Sequence, residues 1–258
     1  MKKNLLFLIL ISCCLLTTAA SNVTPNTSAW YDIRWMLSSP YAPTFRVLDT
    51  ESSMGPYAVQ SKTITLRDLV QLHGHPCDGL VLAACALHFG LPKLYPDGIV
   101  DRTDTGVITN NSPCFGDVAE YLTGGRIRFG TQKIDPTMKD EFIVYRFSAG
   151  KAIRISLKPG IFPKALSKME ASLRAGDRSL ASVRACQRLQ LAWIRTLLNT
   201  APEKLFSIQV LPTFRWVADK YEHTGERGDV RMKSIARKRP LSVAKTELHD
   251  KQSREDSK

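Results

Sequence analysis

The chain lacks any apolar run long enough to cross a bilayer as a helix. Its longest, Leu5 to Leu16, is 12 residues, against about 20 for a spanning helix. Internal repeats are also absent, so a stacked repeat architecture is not expected. Acids are in short supply: 24 Asp and Glu stand against 36 Lys and Arg, a formal net charge of +12. That balance bears on solubility and acidic surfaces rather than on fold. The basic residues are spread among acids, and a nucleic-acid partner is not expected. Cysteine is scarce, six residues in all, of which Cys13 and Cys14 fall in the apolar run. The other four cannot be the main support of a domain this large, and a hydrophobic content of 43% is ample for a core.

What is present at the N-terminus is a tripartite export plan. Lys2 and Lys3 precede the apolar run, and Thr18-Ala19-Ala20 offers a small-residue cleavage site before Ser21. Residues 1–20 therefore read as a signal peptide, and the mature protein is expected in the periplasm or secreted. A competing reading is a membrane-anchored lipoprotein. Leu10-Ile11-Ser12-Cys13 resembles a lipobox, although the apolar run continues past Cys13 to Leu16.

The remaining chain divides into three parts. Residues 21–60, rich in Ser, Thr, Pro and aromatics, read as an extended lead-in whose Trp30, Tyr31, Trp35 and Tyr41 drape over the core. Residues 61–217 form the principal domain. The tail, residues 218–258, is dense in charge without sustained periodicity and is expected to be disordered.

Chemistry concentrates in His73-Gly74-His75-Pro76-Cys77-Asp78-Gly79. Imidazole nitrogen and thiolate sulfur are favoured ligands of zinc, nickel and copper. A second cluster, Cys114-Phe115-Gly116-Asp117, follows in a separate segment. Thr65-Leu66-Arg67-Asp68 has the form of a capping box and starts a short helix, Leu66 to Leu72, that delivers the chain into His73. A second helix is expected from Gly79 to Phe89, with Gly90 at its C-cap and Pro92 beyond. Cys77 then lies at a helix N-terminus, where a thiolate is stabilised. Cys85 and Cys186 sit in apolar helical patterns and read as buried small hydrophobes.

Past Pro96 the texture becomes strand-like. Gly98–Asp101, Gly106–Thr109, Arg126–Phe129, Glu141–Phe147 and Lys151–Leu157 alternate with turns, the last two as a hairpin, and a helix from Gly116 to Leu122 intervenes. Residues 161–198 are helical with a break at Gly176-Asp177, and Phe206–Val210 returns to strand. The fold class expected is α+β, a mixed sheet packed with helices. The arginines of the 161–198 stretch form either a basic face for lipid or an acidic partner, or the solvated side of a helical hairpin packed on the domain. The hairpin is the commoner arrangement.

The pattern His-Gly-His-x-Cys-x-Gly-Leu entering a helix resembles the signature of the FmdE family, named for a component of formylmethanofuran dehydrogenase. A later Cys114, then Asp117, a helix and Leu122-Thr123-Gly124 match the second half of that signature, over about residues 62–160. The resemblance implies a mixed α+β core like the catalytic domain of glyceraldehyde-3-phosphate dehydrogenase, and clustered His and Cys residues that hold a metal. The chain departs from the family in carrying Asp78 where Pro is usual. It also lacks the paired Cys-x-x-Cys motifs of members with a C-terminal zinc finger. An exported protein cannot belong to the cytoplasmic complex that names the family.

The ligands expected are His73, His75, Cys77 and Cys114, with Asp117 and Asp78 beside them. His75 and Cys77 lead, while His73 is either a ligand or a neighbour bonded to a backbone carbonyl. Cys77 and Cys114 could instead form a disulfide. Asp117 either orients a ligand imidazole or caps a helix, and Asp78 is an N-cap or an oxygen ligand. Lys139 matches a position where the family tends to be basic. His88 reads as an ordinary helix histidine, and His223 and His249 carry no weight. Mixed N and S ligation fits zinc best, then nickel or copper. The expected function is an exported binder of a divalent metal or of a small metal-containing ligand. The alternative is a metal-dependent enzyme, a hydrolase or oxidoreductase, using the same cluster. Self-association as a homodimer is compatible with either.

Overall fold

The computed structural model describes residues 32–217, apart from 52–57, 59 and 178. The expected signal peptide, Cys13, Trp30, Tyr31 and the charged tail with His223 and His249 lie outside the described residues. The chain runs α1 (Arg34–Leu37), β1 (Thr44–Leu48), β2 (Lys62–Thr65), α2 (Leu66–His73), α3 (Asp78–Gly90), β3 (Ile99–Asp101) and β4 (Thr105–Thr109). It continues with α4 (Pro113–Thr123), β5 (Gln132–Ile134), β6 (Glu141–Arg146), β7 (Lys151–Leu157), α5 (Lys164–Arg174), α6 (Leu180–Asn199), α7 (Pro202–Leu205) and β8 (Phe206–Val210).

The strands form two mixed sheets, so the fold is α+β. In the smaller, ordered β2-β1-β3, Phe45 of β1 faces Ile64 of antiparallel β2 and Val47 faces Val100 of parallel β3. The larger is ordered β5-β4-β6-β7-β8, with β4 and β5 parallel and the other pairs antiparallel. β1 is the middle strand of its sheet, so the segment expected as a lead-in is part of the folded unit. Its alternation of Phe45 and Val47 inward with Thr44 and Arg46 outward is a strand signature that the Ser- and Pro-rich surroundings obscure.

The centre of the molecule is α3, whose residues from Leu80 to Leu87 are all buried. A helix apolar on every side must be covered on every side, and α3 packs against α4, α6 and β7. Gly90 does not serve as the expected C-cap. It is the last helical residue, in a right-handed conformation, and the chain passes on into a 3₁₀ turn, Leu91–Lys93. Its missing side chain is what matters, because a Cβ there would lie 2.1 Å from Cδ1 of Ile155 on β7. Gly90→Ala is therefore expected to cost about 1–3 kcal/mol, as overpacking typically does. Urea denaturation would read this as a lower midpoint with an unchanged slope.

Arg126–Phe129 is not the expected strand. Ile127–Phe129 is a 3₁₀ turn closed by Gly130 at φ 64°, and the strand begins only at Gln132. α5 and α6 pack on each other as the expected helical hairpin, turned by Gly176 at φ 112°. Beyond β8, Phe214 and Trp216 fold back over β4 and β6. The Trp216 indole donates to the Gly130 carbonyl at 3.0 Å, and its ring lies against Tyr145, Phe147 and Phe214.

Candidate metal centre

Two helix junctions build the site. α2 starts where Asp68 Oδ2 accepts from the Thr65 backbone N–H (2.7 Å) and hydroxyl (2.8 Å). It ends at His73, and Gly74 at φ 101° turns the chain out of the helix. Three residues later Cys77 is the N-cap of α3, its Sγ accepting from the Leu80 N–H at 3.4 Å. The cap is thus Cys77, not Asp78, which occupies the first helical position. Cys114 is the second residue of α4, behind Ser112 and Pro113. The N-terminal ends of α3 and α4 bring both sulfurs together where helix dipoles favour negative charge.

Three donor atoms converge. His73 Nε2 lies 3.6 Å from Cys77 Sγ and 3.7 Å from Cys114 Sγ, and the sulfurs are 3.4 Å apart. Zinc–sulfur bonds of about 2.3 Å and zinc–nitrogen bonds of about 2.05 Å at tetrahedral angles imply S···S edges of about 3.8 Å and S···N edges of about 3.6 Å. The observed edges come within a few tenths of an ångström of these, so the donors match three corners of a tetrahedron. His73, Cys77 and Cys114 could hold a metal ion. They are equally the residues of a Cys-His-Asp arrangement, because Asp117 Oδ2 sits 2.8 Å from His73 Nδ1. A carboxylate there fixes the imidazole with Nδ1 protonated and Nε2 free to face the sulfurs.

The thiols are separate, not bonded as a disulfide, which requires about 2.05 Å between sulfurs. The two sulfurs share a hydrogen bond that pushes the two thiols in opposite directions. Cys114 is lowered to about 6, chiefly by the hydrogen bond from Cys77, against burial and with help from His73 and the Ser112 hydroxyl. Cys77 is raised by the same hydrogen bond and by burial. Cys85, fully enclosed on α3, is pushed up to about 12 by burial.

The other residues singled out in the sequence stand apart from the convergence. His75 is exposed, its ring 4.7 Å from that of His73 and tilted 41°. Asp78 is buried and raised by desolvation, which its own and the Gly79 N–H groups and Gln190 oppose. Lys139 is exposed, its carbonyl accepting from Asn110. His88 lies edge-on to Phe45 with ring centroids 5.5 Å apart and is lowered by burial. A cavity of about 1000 Å³ lined by Asp140, Phe162 and Glu170 includes none of the converging residues.

Sequence reasoning passed over Gly79. A Cβ on it would lie 3.0 Å from Cys114 Sγ and 3.2 Å from Cys114 Cβ. Its bare backbone lets the two helix ends approach, and the Cys-x-Gly spacing was the available signal. Gly79→Ala is expected to push Cys114 away and weaken metal binding while the protein still folds, as zinc titration with circular dichroism would show.

The FmdE family model, described as "FmdE, Molybdenum formylmethanofuran dehydrogenase operon", matches residues 72–207. A solved structure of an FmdE-like protein from Syntrophus aciditrophicus, described as of the tungsten formylmethanofuran dehydrogenase, is similar at 15% identity. The match covers 55% of this chain and 67% of that one, with a TM-score of 0.36. No curated protein matches the chain.

Proposed function

Because the chain belongs to the FmdE family, we propose that it is an exported metal-binding protein that holds one divalent ion through His73, Cys77 and Cys114. The observation that carries this reading is the three-way convergence of Nε2 and two Sγ atoms at tetrahedral edge lengths. Asp117 positions His73, and the ends of α3 and α4 stabilise the thiolate charge. Zinc suits borderline N and S donors best, with nickel or copper next. The ligand delivered could equally be a small metal-containing group that uses the same three donors.

The experiment is elemental analysis of protein purified without an affinity tag. One equivalent of a transition metal, removable by chelation with recovery of free thiols, is the expected result. Metal-free native protein would overturn the reading. Export is supported by Lys2-Lys3, the apolar run and Ala19-Ala20. The mature N-terminus is expected near Ser21, and Edman sequencing that finds Met1 would refute it. A lipid-bearing Cys13 would select the anchored form.

A second reading is a metal-dependent enzyme. Three protein donors leave one corner of a tetrahedron for water or substrate, the plan of catalytic rather than structural zinc sites. A bound ion would supply Lewis acidity and an activated water.

A further inference from the structure

The outer face of α6 is largely exposed to solvent. Its inner face buries Cys186, Trp193, Ile194, Leu197 and Leu198. The opposite stripe presents Arg184, Arg188, Leu191 and Arg195 at helical spacing, all exposed, with Leu180 at the helix start 64% exposed and Leu191 47% exposed. Across its twenty residues α6 contains no Asp or Glu. None of the three arginines forms an ion pair with a carboxylate among the described residues. Arg195 is held in place, its guanidinium 4.4 Å from the centre of the Trp35 ring. From Arg184 to Arg195 the stripe extends about 16 Å at 1.5 Å per residue.

We propose that this face of α6 docks on a bilayer surface rich in anionic phospholipid. Charge complementarity is the argument for the partner: an acid-free arginine row attracts a sheet of phosphate groups. Leu191, set between Arg188 and Arg195, and Leu180 at the helix start then favour a lipid surface over a soluble polyanion. They bring apolar area that the headgroup boundary can bury and that a fully hydrated anion cannot. The stripe runs along one side of a single helix, so its residues can meet a plane together. The attraction is electrostatic at its core and falls off within a Debye length of about 8 Å at physiological salt. The inference is independent of the metal centre, whose residues lie on α2, α3 and α4.

Co-sedimentation of the full chain with vesicles tests it. Binding is expected to vesicles of phosphatidylglycerol mixed with phosphatidylcholine and not to phosphatidylcholine alone, and to be lost at high salt. Arg184→Gln and Arg188→Gln should each weaken binding about fivefold, roughly 1 kcal/mol per basic residue at an anionic surface, and Leu191→Ser should weaken it further. The thermal transition should not move, since these side chains are exposed. A doubly substituted protein that binds as tightly as the unaltered chain would place the attraction elsewhere, the basic tail included, and overturn the proposal. Equal binding to both vesicle types, or binding only to an acidic protein, would do the same.

Discussion

Replacing His73 or Cys114 is expected to strip the metal, and replacing His75 to leave it in place. A complete structural zinc site contributes about 10–16 kcal/mol, so each ligand accounts for about 3–4 kcal/mol, between two and three powers of ten in affinity. His73→Ala, Cys77→Ser and Cys114→Ser are each expected to lose that much, read by competition with a chromogenic chelator. Asp117→Asn keeps the ligands but loosens the imidazole, and a loss of 10–100-fold is expected from a partner of that kind. His75→Ala removes only an exposed ring tilted against that of His73, and affinity should stay as it was. Metal retained by His73→Ala and lost by His75→Ala would reverse the assignment. Protons compete for the same donors, so affinity should fall as pH drops through the imidazole and thiolate range.

The contrast between His73 and His75 shows where local pattern ends and tertiary structure begins. Both histidines are within four residues of Cys77, and spacing alone favours the nearer. What separates them is that His73 is still on α2, whose last turn aims it at α4, whereas Gly74 at φ 101° sends His75 out to solvent. The start of α2, by contrast, is written locally in Thr65 and Asp68, and the hairpin of β6 and β7 in two short apolar, β-branched runs either side of the Ala149-Gly150 turn. Gly90 and Gly79 look alike in sequence, as helix-end glycines, yet each is required by a side chain far along the chain, Ile155 in one case and Cys114 in the other. Arg126–Phe129 alternates like a strand, but its backbone closes on itself, Phe129 N–H donating to the Arg126 carbonyl and Gly130 N–H to that of Ile127, as a 3₁₀ turn. The middle position of β1 depends on partners on both sides, one of them about 50 residues downstream. Short-range rules specify where elements start and what period they keep. Which faces meet is decided by burial.

The metal-free protein should carry an unusually acidic thiol at Cys114 alone. Alkylation with iodoacetamide, followed residue by residue by mass spectrometry, is expected to show a midpoint at about 6 for Cys114, against the ordinary 9.0. The sign follows from the cause: the hydrogen bond from Cys77 stabilises the thiolate, so the charged form persists to lower pH. At pH 7 about nine-tenths of Cys114 is then ionised, roughly 90 times the ordinary fraction. The rate rises far less than that, because a thiolate of lower pKa is a weaker nucleophile, by about twentyfold over three units. The midpoint, not the rate, is therefore the decisive quantity. Cys77→Ala removes the donor and should move the midpoint up toward the ordinary value, whereas Cys85, buried on α3, should not react in folded protein. Zinc added before the reagent should protect Cys114. A midpoint near 9.0 in the unaltered protein would mean that the two sulfurs do not share a proton. A Cys77–Cys114 disulfide in metal-free native protein would leave no thiol to alkylate and would end the metal reading as well.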